Sequence, residues 1–132
     1  GLLTEGIMAA ERKATSGSSS DSTPQTSDFV CIDAAPSMIR VVKDKIKAGE
    51  WTNVRAYCAA LSTYETGSND SIKADLEQLK GTVDLIVASS VMSFIPSDEL
   101  PSTLKVLASF LKPGGLFIHS DWPKADDNPT GF

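Results

Sequence analysis

A carboxylate that closes a short apolar run is the first feature of this sequence with a chemical reading. Phe29, Val30, Cys31 and Ile32 run directly into Asp33. Unbroken hydrophobicity over so few residues fits a strand covered on both faces, as in a parallel sheet. In open α/β sheets, ligands bind beyond the carboxyl ends of the strands, at the switch point of strand order. A carboxylate there can accept hydrogen bonds from both hydroxyls of a ribose. The plainer alternative is an exposed loop aspartate, or a cap for a helix beginning near Pro36. The same rule singles out Ala34, residues 59–62, residues 89–93 and residues 120–122 at the ends of further strands.

No nucleophile, triad or metal set accompanies Asp33, and no catalytic residue is assigned. His119 is the single histidine and lies inside the last apolar run, so it reads as a packing or supporting residue before a general base. One histidine and two distant cysteines do not make a zinc site. Cys31 and Cys58 read as buried free thiols, a usage that fits a reducing, cytoplasmic compartment. Asp121 and Trp122 stand just past the last strand, where they either shape a substrate pocket or pack its rim. Trp51 reads as cover for the apolar end of a helix.

The elements that must position these residues follow from hydrophobic spacing. Residues 2–13 place Leu3, Ile7 and Ala10 at helical intervals. Residues 14–28 contain no large apolar side chain. They cannot bury enough surface to offset their ordering entropy, and read as a serine-rich mobile insertion. After the strand ending at Asp33, Pro36 suits a first helical turn, and Met38, Ile39, Val42 and Ile46 form its apolar face, with Gly49 as the stop. Residues 53–58 make a weaker strand, and residues 63–69 a loop. Ile72, Leu76 and Leu79 mark a short helix closed by Gly81. Residues 83–88 form the strongest strand. Leu100, Leu104, Leu107 and Leu111 share a helix face, with Ser97 as candidate cap and Asp98 and Glu99 suited to its positive end. Lys112, Pro113, Gly114 and Gly115 fit a type II turn, and Leu116 to His119 a last strand. Strand and helix alternate throughout, which predicts an α/β fold with a mostly parallel sheet between helical layers.

The chain has 132 residues, a net charge of −5, 41% hydrophobic and 22% charged residues, enough for one domain with a core. Its acidic balance argues against a nucleic-acid or anionic-membrane partner, both of which want clustered lysine and arginine. No apolar run reaches the roughly 18 residues of a membrane span.

Three segments, FVCIDAAPSMI, VDLIVASSVMSFIP and LKPGGLFIHSDW, resemble in order and separation the second, fourth and fifth strand regions of class I, Rossmann-like S-adenosylmethionine-dependent methyltransferases. The resemblance covers about residues 29–122 and implies S-adenosylmethionine as the cofactor. It implies that Asp33 holds the ribose, and that Ala34 and Met38 pack near the adenine. Ala60 and Leu61 follow the third strand beside the base, and Ser89 and Ser90 face the methionine end. GLLTEGIM resembles the close of the family's glycine-rich loop, with Gly1 its last glycine. Asp33 stands 32 positions after Gly1, further than the roughly 20 usual for such fingerprints. Setting residues 14–28 aside shortens that spacing to 17.

On this reading residues 1–132 are an incomplete domain, lacking the first strand and the C-terminal strands. The sheet is then interrupted between its second and fourth strands, and the chain alone is poorly stable, inactive and a weak cofactor binder. Two departures stand out: residues 58–61 carry no carboxylate for the adenine amino group, and Ser93 stands where many relatives have histidine. The expected activity is methyl transfer to a small-molecule acceptor by proximity and alignment. Alternatives are a non-catalytic methyltransferase-like interaction module and an NAD-dependent oxidoreductase fragment, whose ribose Asp33 would suit equally.

Overall fold

A computed structural model describes residues 6–10, 27–67 and 69–121. The fold is α/β, and the chain divides into two compact units, Gly1–Ala59 and Ala60–Phe132. Gly1 and most of the serine-rich stretch lie outside the described residues, as does most of the first expected helix, of which residues 6–10 are helical.

In the first unit, β1 (Phe29–Asp33), α1 (Pro36–Ala48) and β2 (Val54–Cys58) follow one another. The strands pair in parallel without a break, from Phe29 opposite Val54 to Asp33 opposite Cys58. All five β1 residues are half-buried, not enclosed as the apolar run predicts. A two-stranded sheet has no flanking strand to close over its members. In α1, Pro36 occupies the first turn and Ile39 and Val42 are buried. Ile46 is half-buried, but Met38 is 50% exposed and does not belong to the packed face.

The end of α1 corrects the expected stop by one residue. Gly49 keeps a right-handed conformation (φ −90°), and Glu50 is the left-handed residue (φ 51°). Trp51 N donates to Ile46 O (3.0 Å) and Glu50 N to Lys47 O (3.3 Å), the paired closure of a Schellman motif. Gly49 is needed for a different reason: a Cβ there would lie 2.4 Å from Trp51 Nε1. The indole therefore covers the helix end, as its position in the sequence suggests.

In the second unit, α2 (Tyr64–Gly67), α3 (Asp70–Glu77), β3 (Val83–Ser89), α4 (Leu100–Phe110) and β4 (Leu111–Ser120) hold the larger core. The stretch expected to be loop contains α2 because Tyr64 is buried there. Its ring meets Phe110 edge-on at 6.1 Å, and its hydroxyl donates to Glu77 Oε1 (2.7 Å). Asn69 caps α3 by accepting from Ile72 N, and Leu76 is fully buried. Ser97 does not cap α4. Glu99 precedes the helix without a side-chain cap and accepts instead from Ser62 Oγ (2.6 Å). The buried stripe of α4 is Thr103, Leu107 and Phe110, while Leu104 is 40% exposed. Burying Phe110 against Tyr64 turns the helix away from the all-leucine face, because a packed aromatic removes more apolar surface from water.

β4 begins where α4 ends and carries the turn within it. Val83 pairs with Leu111, then Leu85 with Leu116, so residues 112–115 form an irregularity in a parallel pair. Gly114 is left-handed (φ 81°), as the third position of a type II turn requires. A Cβ on Gly115 would stand 2.9 Å from Val83 O. Lys112 Nζ pairs with Asp84 across the strands.

The sheet consists of two separate parallel pairs, β1 with β2 and β3 with β4. In the Rossmann strand order 3-2-1-4-5, the second strand pairs with the third and the fourth with the fifth. The first lies between the second and fourth, and among the described residues no strand joins β1 to β3.

Candidate functional site

In each unit the carboxyl ends of the parallel strands carry the residues of interest. At the end of β1, Asp33 is half-buried, and its Oδ1 accepts from Ala35 N at 2.8 Å. This is a local turn bond, not the expected helix cap, since Ala35 itself precedes α1 and has no side-chain cap. The bond fixes the carboxylate while Oδ2 has no hydrogen-bond partner among the described residues. Asp33 O accepts from Ala59 N (3.1 Å), and the Cys58 thiol lies 3.7 Å from Ala34 O. Asp33, Ala34, Cys58 and Ala59 thus meet at one strand end. Ala34 is exposed, and Met38 presents half its surface one turn into α1. Cys31 and Cys58 form no disulfide and are half-buried rather than buried.

Ala60 follows directly and is exposed; its carbonyl accepts from Thr63 N (3.2 Å), which leaves one lone pair available. Leu61 lines an open cavity of about 280 Å³ with Ser62, Tyr64, Ser102 and Lys105. The hydroxyls there are already engaged, Ser62 with the Glu99 carboxylate and Ser102 with Glu99 O. Leu61 therefore lies in the wall of that cavity.

At the end of β3, Ser89 and Ser90 are both exposed. Ser90 is left-handed (φ 53°), and its N–H donates to Ser120 O at 2.7 Å. Beyond it the chain turns through a short 3-10 helix, Met92–Phe94, that hydrophobic spacing does not reveal. Asp121 holds this turn: Oδ2 accepts from Met92 N (2.8 Å) and Oδ1 from Ser93 Oγ (2.7 Å). These donors, the Ser93 hydroxyl foremost, keep Asp121 below the usual carboxylate range. His119 is exposed and stacks on Phe117 at 5.7 Å.

Five of the sequence-predicted residues (Asp33, Ala34, Ala60, Ser89 and Ser90) therefore lie at or just past strand ends, with Met38 exposed nearby on its own helix. Gly1 is outside the described residues. The partnership of Ser93 with Asp121 had no local signal, since 28 residues separate them; only the parallel pairing of Ser89 with Ser120 brings their loops together.

Parallel strand–helix–strand units of this kind belong to a Rossmann-like α/β fold. A family model described as a methyltransferase domain matches residues 14–117. The chain belongs to that methyltransferase family. No curated protein and no solved structure matches it.

Proposed function

We propose that the methyl donor is S-adenosylmethionine and the acceptor a small molecule, and that transfer proceeds by alignment without a side-chain nucleophile. The observation that carries this reading is the Asp33 carboxylate, fixed by Ala35 N–H at the end of β1 with one oxygen left for a ligand. The donor set fits the cofactor: an anchored carboxylate for vicinal hydroxyls, then the small, exposed Ala34. Met38, Ala60 and Leu61 would flank the adenine, Ser89 and Ser90 the methionine end, and Gly1 the glycine-rich loop. Bound there, the cofactor would supply an electrophilic methyl group on a sulfonium sulfur. The protein's share is orientation and exclusion of water, with a base needed only for an acceptor that loses a proton on attack. The net charge of −5 favours a small acceptor over nucleic acid. Two cysteines that form no disulfide suit the cytoplasm.

Among the described residues each sheet has two strands, and such sheets are marginal on their own. The 132-residue chain alone is therefore a weak binder, and its affinity is best read by two-dimensional NMR. S-adenosylmethionine is expected to shift the Asp33, Ala34, Ser89 and Ser90 amides, and NAD to leave them in place. Asp33→Asn should weaken binding about tenfold, the worth of a charge-assisted hydrogen bond. A response to NAD alone would favour an oxidoreductase, and silence to both a non-catalytic module.

A further inference from the structure

The turn after β3 is held in a shape its own sequence does not favour. Ser90 is left-handed (φ 53°), a conformation that residues other than glycine, asparagine and aspartate rarely adopt. Such an outlier persists only where its surroundings over-determine it. Here Ser120 O receives the Ser90 N–H, and the next residue, Asp121, takes hydrogen bonds from Met92 N and Ser93 Oγ. Both carboxylate oxygens are engaged on one turn lying 28 and 29 residues earlier in the chain. A simple rim aspartate would not tie both oxygens to one distant turn.

We propose that Asp121 is a positioning residue: it clamps the turn after β3 to the end of β4, holds Ser90 left-handed, and so fixes the Ser89 and Ser90 peptide groups for the methyl donor. The donor part rests on the reading of the cofactor as S-adenosylmethionine; the clamp does not. Asparagine at 121 keeps the shape and can still reach both partners, since the Ser93 hydroxyl also accepts, but it lacks the charge that strengthens both bonds. The clamp is then weakened.

Amide hydrogen exchange on the whole chain separates the two parts. In Asp121→Asn, the Met92 amide should exchange about tenfold faster relative to Leu107 in α4, with S-adenosylmethionine affinity about tenfold weaker. Ser93→Ala, which removes one donor, should give a smaller change of the same kind. Adding Ser90→Gly to Asp121→Asn should recover part of the affinity, because glycine adopts the left-handed shape without steric cost. Exchange at Met92 unchanged in Asp121→Asn would overturn the clamp. Faster exchange with undiminished affinity would overturn its role toward the donor. A wild-type chain that does not respond to S-adenosylmethionine would sink the donor reading, while exchange at Met92 still decides the clamp.

Discussion

In the first unit β1 and β2 pair over five residues without a break, whereas in the second β3 and β4 lose register between Val83 and Leu85. The cores differ as well. Met8, Ile39, Val42, Val54 and Ala59 are the buried apolar residues of the first unit, and Tyr64, Leu76, Leu79, Ala88, Leu107 and Phe110 those of the second. Regular pairing thus goes with a small aliphatic core, and irregular pairing with an aromatic one braced by polar contacts. Asp33 is anchored by a bond two residues long, but Asp121 by bonds that cross between loops. The contrast shows that pairing regularity alone does not fix the strand ends. Where the backbone departs from the ladder, buried bulk and a carboxylate take over.

The strongest test of this contrast is a pair of truncations. Leu76→Ala in the aromatic core should cost about 3–5 kcal/mol and Ile39→Ala about 2–3 kcal/mol, both read from urea denaturation. Equal losses would remove the asymmetry. A smaller effect tests the first unit's own device: Gly49→Ala forces Trp51 off the helix end, at about 1–3 kcal/mol. Trp51 fluorescence, followed with Trp122→Phe to isolate it, should shift toward that of an exposed indole.

The smallest effect is in the pH profile of the second unit. Glu77, bonded by Lys80 and Tyr64, and Asp121, bonded chiefly by Ser93, are both held below their ordinary values. Their stabilisation is present above about pH 4 and lost as pH falls through the folded values. Tyr64 is raised, by burial first and then by Glu77, so its contribution is present below about pH 10 and lost as pH rises through the folded value. Lys80, raised by Glu77, acts in the same direction. Urea midpoints should decline at both extremes, and Tyr64→Phe should shrink the alkaline decline and, to a lesser degree, the acid one, since Glu77 loses its second donor. An unchanged alkaline arm would assign it to Lys80.

The strands were legible because each is short and mostly apolar, with a polar or small residue at its end: β1, β2 and β3 fall within one residue of their expected spans. Asp33 was legible for the same reason, since a carboxylate closing such a run sits at a strand end by construction. Helix faces were less so. The leucines at 100, 104, 107 and 111 look like one stripe, but the bulk of Phe110 sets the rotation of α4, and only the partner Tyr64 reveals it. The one-turn helix at Tyr64 was hidden by the serine, threonine and glycine around it, because a buried ring can fix backbone that local propensity leaves open. The 3-10 turn and its clamp depend on residues 28 apart, a separation at which no periodicity speaks. Glu50 took the left-handed position beside Gly49 because the indole claims the space over the glycine.

The two short sheets also govern how the protein behaves as a solute. With two strands each, both pairs leave open edges, and an open edge is a template for another chain. Leu116 and Ile118 add apolar surface on β4, at 62% and 52% exposure. At neutral pH the net charge of −5 keeps molecules apart by mutual repulsion. That protection vanishes near the isoelectric point of about 4.7, before Glu77 and Asp121 release their hold. On acidification, then, colloidal stability fails ahead of conformational stability, and precipitation rather than unfolding sets the lower pH limit for work with this chain.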